Sequence, residues 1–172
     1  APTISAPPLP GRSPSPAAAA MRKAIAAAMA RSKREIPHYY LGQDIDVTAA
    51  EEWLQDENAK RPVTERVLFS ALLLKATALA LAEVPELNGF FVDGEFRPAS
   101  GVHIGVAISL RHNGGLIAPA LHDTNTKSLV EIMKGLSDLV SRARAGTLRS
   151  SEMSDPTITV THLGDLGADL VY

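Results

Sequence analysis

Between Val67 and Val84 the chain is apolar on nearly every side, broken only by Ser70, Lys75, Thr77 and Glu83. Leucine and alanine dominate the stretch and neither glycine nor proline interrupts it, so it predicts a helix over residues 65–83, capped by Thr64. At about 1.5 Å of rise per residue such a helix is roughly 28 Å long, enough to cross a whole domain. A helix without a polar face needs neighbours all round, which makes this one a buried central element. Its polar interruptions leave it short of the ~20 apolar residues that span a bilayer. The rest of the chain therefore has to supply the layers that cover it.

Those layers alternate in type. Met21 to Glu35 has helical spacing, with Ile25, Ala28 and Met29 on one side and lysines and arginines on the other, and it stops at Pro37. His38 to Val47 interleaves aromatic and apolar residues with polar ones and predicts a strand. Thr48, with Glu51 three residues on, reads as a capping box opening a short helix through Trp53. Pro85 to Gly89 is a turn, and Asp93-Gly94 within Phe90–Phe96 is a strong hairpin signal. Val102–Leu110 and Leu116–Leu121 predict an antiparallel pair joined through the turn His112-Asn-Gly-Gly115. Thr126 to Ala145 carries Leu129, Ile132, Met133, Leu136, Leu139 and Val140 as one stripe of an amphipathic helix closed by Gly146. Thr157 to His162 is a β-branched strand, with Gly164 and Gly167 bending the chain behind it. The class is α/β (α+β), a mixed sheet covered by helices.

The chain's 172 residues amount to about one domain, and 45% hydrophobic with 21% charged residues is a globular balance that excludes wholesale disorder. Residues 1–20 are rich in proline, alanine and serine and read as a semi-rigid linker, leaving 21–172 as the folded domain. A linker in that position implies that something precedes it. Residues 1–34 hold six bases and no acid, so the remainder carries eleven bases against nineteen acids. The basic start lacks large apolar residues for insertion into a membrane surface, and the net charge of -2 with 5% aromatics gives little reason to bind nucleic acid. Cysteine is absent, which removes disulfides, thiolate metal sites and a cysteine nucleophile together. A soluble, intracellular protein is expected.

Five histidines could carry chemistry: His38, His103, His112, His122 and His162. None is paired at the i, i+4 spacing of a helical zinc site, and metal is set aside. His122 and Asp123 could orient one another, but neighbours at a strand end point apart, so a solvated turn is the better reading. A Gly-x-Ser-x-Gly elbow is missing, and Gly164-x-x-Gly167 is too weak for a phosphate loop. Residue chemistry alone reaches a soluble α/β domain with a linker.

Seven short blocks in order carry the reading further: Met21-Arg-Lys-Ala-Ile-Ala, Ser32-Lys-Arg-Glu-Ile-Pro-His-Tyr-Tyr-Leu41, Asp44-Ile-Asp-Val47, Pro85-Glu-Leu-Asn88, Ile104-Gly-Val-Ala107, Gly115-Leu-Ile-Ala-Pro119 and Thr157-Ile-Thr-Val-Thr-His-Leu-Gly164. Together, from residue 21 to the end, they resemble the catalytic domain of the 2-oxo acid dehydrogenase acyltransferases. The resemblance implies a chloramphenicol-acetyltransferase-like fold, here missing its C-terminal strands. It also implies homotrimers built into a larger core, with the active site in a channel between subunits. The implied reaction moves an acyl group between dihydrolipoamide and coenzyme A. The lipoyl group would be carried on another domain, coenzyme A would be a substrate and no metal would take part. The implied partners are further copies of the chain and the E1 and E3 subunits of the complex, in the cytoplasm or, in a eukaryote, the mitochondrial matrix.

Carried over residue by residue, the resemblance makes Thr161 the hydroxyl that stabilises the oxyanion of the tetrahedral intermediate. Without it Thr161 would read as a strand threonine chosen for β propensity. Gly115, Leu116 and Pro119 are expected to line the channel, although a packed strand would look the same. His162 stands where the family has asparagine and is expected at a surface or interface. Arg22 could pair with an aspartate of the family's His-x-x-x-Asp-Gly motif, but a solvated charge is the better reading. Ala28 replaces an arginine the family often has there. The motif that supplies the thiol's base does not occur in the sequence, so the chain by itself is expected to be inactive. Two readings follow: an acyltransferase whose last part lies beyond Tyr172, which is favoured, or a non-catalytic trimeric scaffold relative. Acetyl, succinyl and branched-chain acyl groups, and cubic or dodecahedral cores, all remain open.

Overall fold

The structure, a computed structural model, describes residues 16–110 and 115–163. The apolar run folds as a helix, α3 (Phe69–Glu83), but begins four residues later than a cap at Thr64 would have it. Val63–Glu65 is a separate 3-10 turn. The cause is Asn58, the side chain of which donates to the Val67 carbonyl and accepts from the Val67 amide, both at 2.8 Å. With both main-chain groups taken, Val67 stays outside the helix and plugs into the core. Ala71, Leu74, Ala78 and Leu81 form the buried face of α3, whereas Leu79 on the far side is 47% exposed. The helix is therefore covered along one face, not all round.

Asn58 belongs to α2 (Thr48–Ala59), which runs past Trp53 and buries Leu54. Thr48 is its first helical residue, not its cap. The cap position is Val47, and the Asp46 carboxylate accepts from the Thr48 amide at 2.9 Å. Before it comes α1 (Pro16–Glu35), which takes in Ala17–Ala20 as well as the predicted span. Alanine is the best helix former and proline is tolerated in a first turn, so the helix propagates back through residues assigned above to the linker.

The segment 38–47 is not a strand. It runs without a ladder partner among the described residues, with Leu41 89% exposed and Tyr39 and Ile45 also in solvent. Alternation makes a segment able to pair, but a strand exists only when another edge takes its hydrogen bonds.

The hairpin β1 (Gly89–Val92) and β2 (Glu95–Pro98) turns as predicted, with both central residues at positive φ, Asp93 at 55° and Gly94 at 82°. The next two predicted strands each break into two. Val102–Leu110 becomes β3 (Ile104–Val106) and β4 (Ile108–Leu110), and the return becomes β5 (Gly115–Ile117) and β6 (Ala120–Leu121). Pro119, which has no amide to donate, sits at the second break, and its carbonyl accepts from Val106. β4 pairs with β5 antiparallel, while β3 pairs antiparallel with β6 and parallel with β7 (Ile158–Val160). The sheet order β6-β3-β7 is thus mixed, as expected. The chain approaches closely at Gly105 in β3, where a Cβ would lie 3.0 Å from both the Ala118 carbonyl and Pro156.

Helix α4 (Leu129–Ala145) packs on α3 and on the sheet. It opens at a capping box of Ser128 and Glu131, because Thr126 spends its hydroxyl on the Asp123 carbonyl. It closes at Gly146, φ 72°. Of the predicted stripe Ile132, Leu136 and Leu139 are buried and Leu129, Met133 and Val140 partly so, with Ala143 buried beside them. Then comes α5 (Ser150–Ser154), too short to leave a periodic signal. It is held by Glu152, which takes Arg142 at 2.5 and 2.6 Å and the Arg149 amide at 2.7 Å. The turn residues His112–Gly114 and the bend at Gly164 and Gly167 lie outside the described residues.

Candidate active site

The site is built at the C-terminal end of β7. Its register with β3 pairs Val106 with Val160, and the Ala107 amide closes the ladder on the Val160 carbonyl at 3.1 Å. One residue further the ladder ends and Thr161 is exposed. Thr161 and His162 line a cavity of about 550 Å³. Its walls are Leu68 just ahead of α3, Leu73 and Leu74 from α3, Met133, Leu136 and Val140 from α4, and Val106 and Val160 from the sheet. Among the described residues, the polar side chains lining it are Ser70, Ser137, Arg144, Thr161 and His162. Donors in an apolar setting act on a developing negative charge more strongly than the same donors in water.

The other positions expected at a channel fall elsewhere. Gly115 is buried beneath Met21 of α1, where an added Cβ would meet the Met21 Cε at 3.2 Å. Leu116 is 52% exposed on β5, and Pro119 is fully buried. None of the three lines the cavity beside Thr161. Arg22 lies exposed on α1. Ala28 lines a second cavity of about 620 Å³ between α1 and the β1–β2 hairpin.

A cluster that sequence reasoning missed stands at the opposite end of the sheet. His122 stands in a turn, as expected, but it is only partly exposed, and its Nε2 lies 3.0 Å from the Asp155 carboxylate. The Asp123 amide donates to His103 Nδ1 at 3.0 Å, and the two imidazole centroids are 5.0 Å apart. Asp155 is 33 residues from His122, so no local pattern could have joined them. The Ser154 hydroxyl and then His122 hold the Asp155 carboxyl below its usual range. On α5 the hydrogen-bonded Arg142 guanidinium, outweighing desolvation, takes Glu152 down to about 2, while Glu152 and Asp138 raise Arg142. Among the described residues no group of three or more His, Asp or Glu is placed to hold a metal ion, and no helix is long and apolar enough to cross a membrane.

Helices packed on a mixed sheet, with a strand-end hydroxyl over an apolar cavity, make an α/β architecture. Residues 15–172 match the family of 2-oxoacid dehydrogenases acyltransferase (catalytic domain), and the chain belongs to that family. It is 35% identical over 153 residues to the dihydrolipoyllysine-residue acetyltransferase component of the pyruvate dehydrogenase complex, mitochondrial, of Caenorhabditis elegans, covering 86% of this chain and 30% of that one. The corresponding component of Zymomonas mobilis is 34% identical, with 86% and 33% covered. The chain spans about a third of the length of these curated relatives. The crystal structure of a probable dihydrolipoamide acetyltransferase from Listeria monocytogenes superposes with a TM-score of 0.79 at 29% identity, over 88% of this chain and 64% of that one. That of the Azotobacter vinelandii dihydrolipoamide acetyltransferase gives 0.79 at 25% identity, over 93% and 70%.

Proposed function

We propose that the chain forms part of an acyltransferase that moves an acyl group between dihydrolipoamide and coenzyme A within a 2-oxo acid dehydrogenase complex. In this reading a thiolate attacks the thioester carbonyl, the carbonyl oxygen becomes an oxyanion, and the Thr161 hydroxyl donates a hydrogen bond to it. The intermediate then collapses by expelling the other sulfur as a thiolate. A thiol of pKa ~8.5 is mostly protonated at neutral pH, so a base must take its proton. None of the motifs in this sequence supplies that base, and on this reading residues 1–172 are inactive alone. The observation that carries the proposal is the setting of Thr161, exposed one residue beyond the β3–β7 ladder on the lip of an apolar cavity.

The same reading makes the partners further copies of the chain, arranged as trimers, together with the E1 and E3 subunits. The lipoyl group arrives on another domain and coenzyme A binds as a substrate, in the cytoplasm or the mitochondrial matrix. Residues 1–20 are proposed as the tether and 21–172 as the catalytic portion, although the family match from residue 15 and the helix from Pro16 favour a boundary a few residues earlier. Gly115, Leu116 and Pro119 keep a channel role only if a neighbouring subunit completes that surface. The test is acyl transfer from acyl-coenzyme A to dihydrolipoamide by the complete catalytic protein. Thr161→Ala is expected to lower turnover by about 100–1,000-fold with little change in KM, and Thr161→Ser to retain most of it. Full turnover in Thr161→Ala would sink the role given to this hydroxyl.

A further inference from the structure

We propose that His103 and His122 form a latch on the start of β7 that one proton tightens and a second releases. This inference stands apart from the acyl-transfer reading. The register Ile104↔Leu121 makes His103 and His122 the next facing positions of the β3–β6 pair, and their rings lie 5.0 Å apart at 59°. Around them the two imidazoles are bonded in opposite senses.

His122 reaches across the sheet. Its Nε2 is 3.0 Å from Asp155, the residue that ends α5 just ahead of β7, and Asp155 also accepts from the Ser154 hydroxyl at 2.6 Å. A proton on His122 turns this contact into an ion pair, tying the β6 edge to the approach of β7 over the middle strand. His103 uses its Nδ1 lone pair to accept the Asp123 amide at 3.0 Å, which leaves the ring proton on Nε2. Its main chain holds β7 directly: the His103 amide donates to Thr157 Oγ1 at 3.1 Å, and the Thr157 amide donates to the His103 carbonyl at 2.9 Å. A proton on Nδ1 would set donor against donor at Asp123 and place a second cation 5.0 Å from His122.

The other charged groups facing the pair do not remove this asymmetry. The Asp123 carboxylate is 3.6 Å from His103 Nδ1 but largely in solvent. Lys127 donates to the His122 carbonyl at 2.6 Å and adds positive charge. From the residue just ahead of β7 the nearby group is the neutral Thr157 hydroxyl, and from the end of α5 it is Asp155 with Ser154. Gly101 leaves room for the His103 ring: a Cβ there would stand 2.7 Å from Cε1.

Imidazole is the side chain that changes charge between about pH 5 and 8, and each proton bound by one state alone changes the unfolding constant by up to tenfold per pH unit. The experiment measures urea unfolding of the 172-residue chain from pH 7.5 to 5, with imidazole ¹⁵N spectra of the folded form. His103→Asn keeps an acceptor for the Asp123 amide and takes up no proton. Its unfolding constant is expected to rise less on acidification than that of the unmodified chain, by a factor bounded at about tenfold per pH unit. His122→Asn and Asp155→Asn are expected to deviate the other way. At pH 7.5 the His103 ring is expected as the Nε2–H tautomer. Parallel pH profiles for His103→Asn and the unmodified chain, or an Nδ1–H tautomer at His103, would overturn the latch. If a variant fails to fold, the tautomer of the unmodified chain decides.

Discussion

At one end of β7 buried polar side chains are hydrogen-bonded to one another; at the other the strand runs out beside an apolar cavity. Thr157, just ahead of the strand, is buried and donates its hydroxyl to Asn88 at 2.6 Å, and Asn88 in turn donates to the Gly101 carbonyl at 2.9 Å. That knot joins the hairpin approach, the β3 approach and the β7 approach through side chains that no water needs to reach. At the far end the threonine two residues past Thr159 is exposed, and its neighbours in the cavity are leucine, valine and methionine. Three residues of strand separate the two settings. A hydroxyl anchored at both ends of its hydrogen-bonding capacity is structural, while a hydroxyl left over at a ladder's end on a firmly held strand can be offered to a ligand.

Breaking the open end should have the largest effect and leave the fold alone. Thr161→Ala is expected to cost the complete catalytic protein about 100–1,000-fold in turnover with an unchanged urea midpoint, and a loss of stability instead would erase the contrast. The closed end should respond in stability. Glu152→Gln on α5, the helix that delivers the chain to β7, removes the charge from a bidentate Arg142 contact. It should cost about 1.5–3 kcal/mol in urea unfolding near pH 7. The pH dependence has a definite sign. Glu152 is lowered to about 2, so its contribution is complete above the usual glutamate range near 4.5 and disappears as pH falls toward 2. The acid limb of the stability profile should therefore flatten in the variant. Smaller still, Asn88→Ala should cost about 1–3 kcal/mol by leaving the Thr157 hydroxyl and the Gly101 carbonyl without their partner. A fully stable Asn88→Ala chain would show that the knot is replaceable and the two ends less different than they look.

Local rules account for much of the fold. The Asp93-Gly94 hairpin, the α4 stripe and the Gly146 cap depend on backbone propensity and 3.6-residue spacing, which neighbouring residues decide among themselves. Local rules misplace the start of α3, because the residue that stops it is Asn58, nine positions before Val67 and on another helix. They also misjudge 38–47, where alternation promises a strand and no edge among the described residues accepts it. The candidate site divides the same way. Thr161 was legible as a block of residue types, and its exposure over the cavity follows from where the β3–β7 ladder ends. Gly115, Leu116 and Pro119 belong to the same kind of block, yet a packed strand puts two of them out of solvent and none of them at the cavity.

By itself, then, the sequence determined the order and type of most elements and the family, since these rest on spacing, capping and short residue blocks read along the chain. The tertiary structure decided which polar groups meet: Glu152 with Arg142, Asp155 with His122, Asn88 with Thr157 and Val67 with Asn58. The physical reason is that a hydrogen bond constrains distance in space and leaves sequence separation free, so partners 9 to 69 residues apart leave no periodic trace.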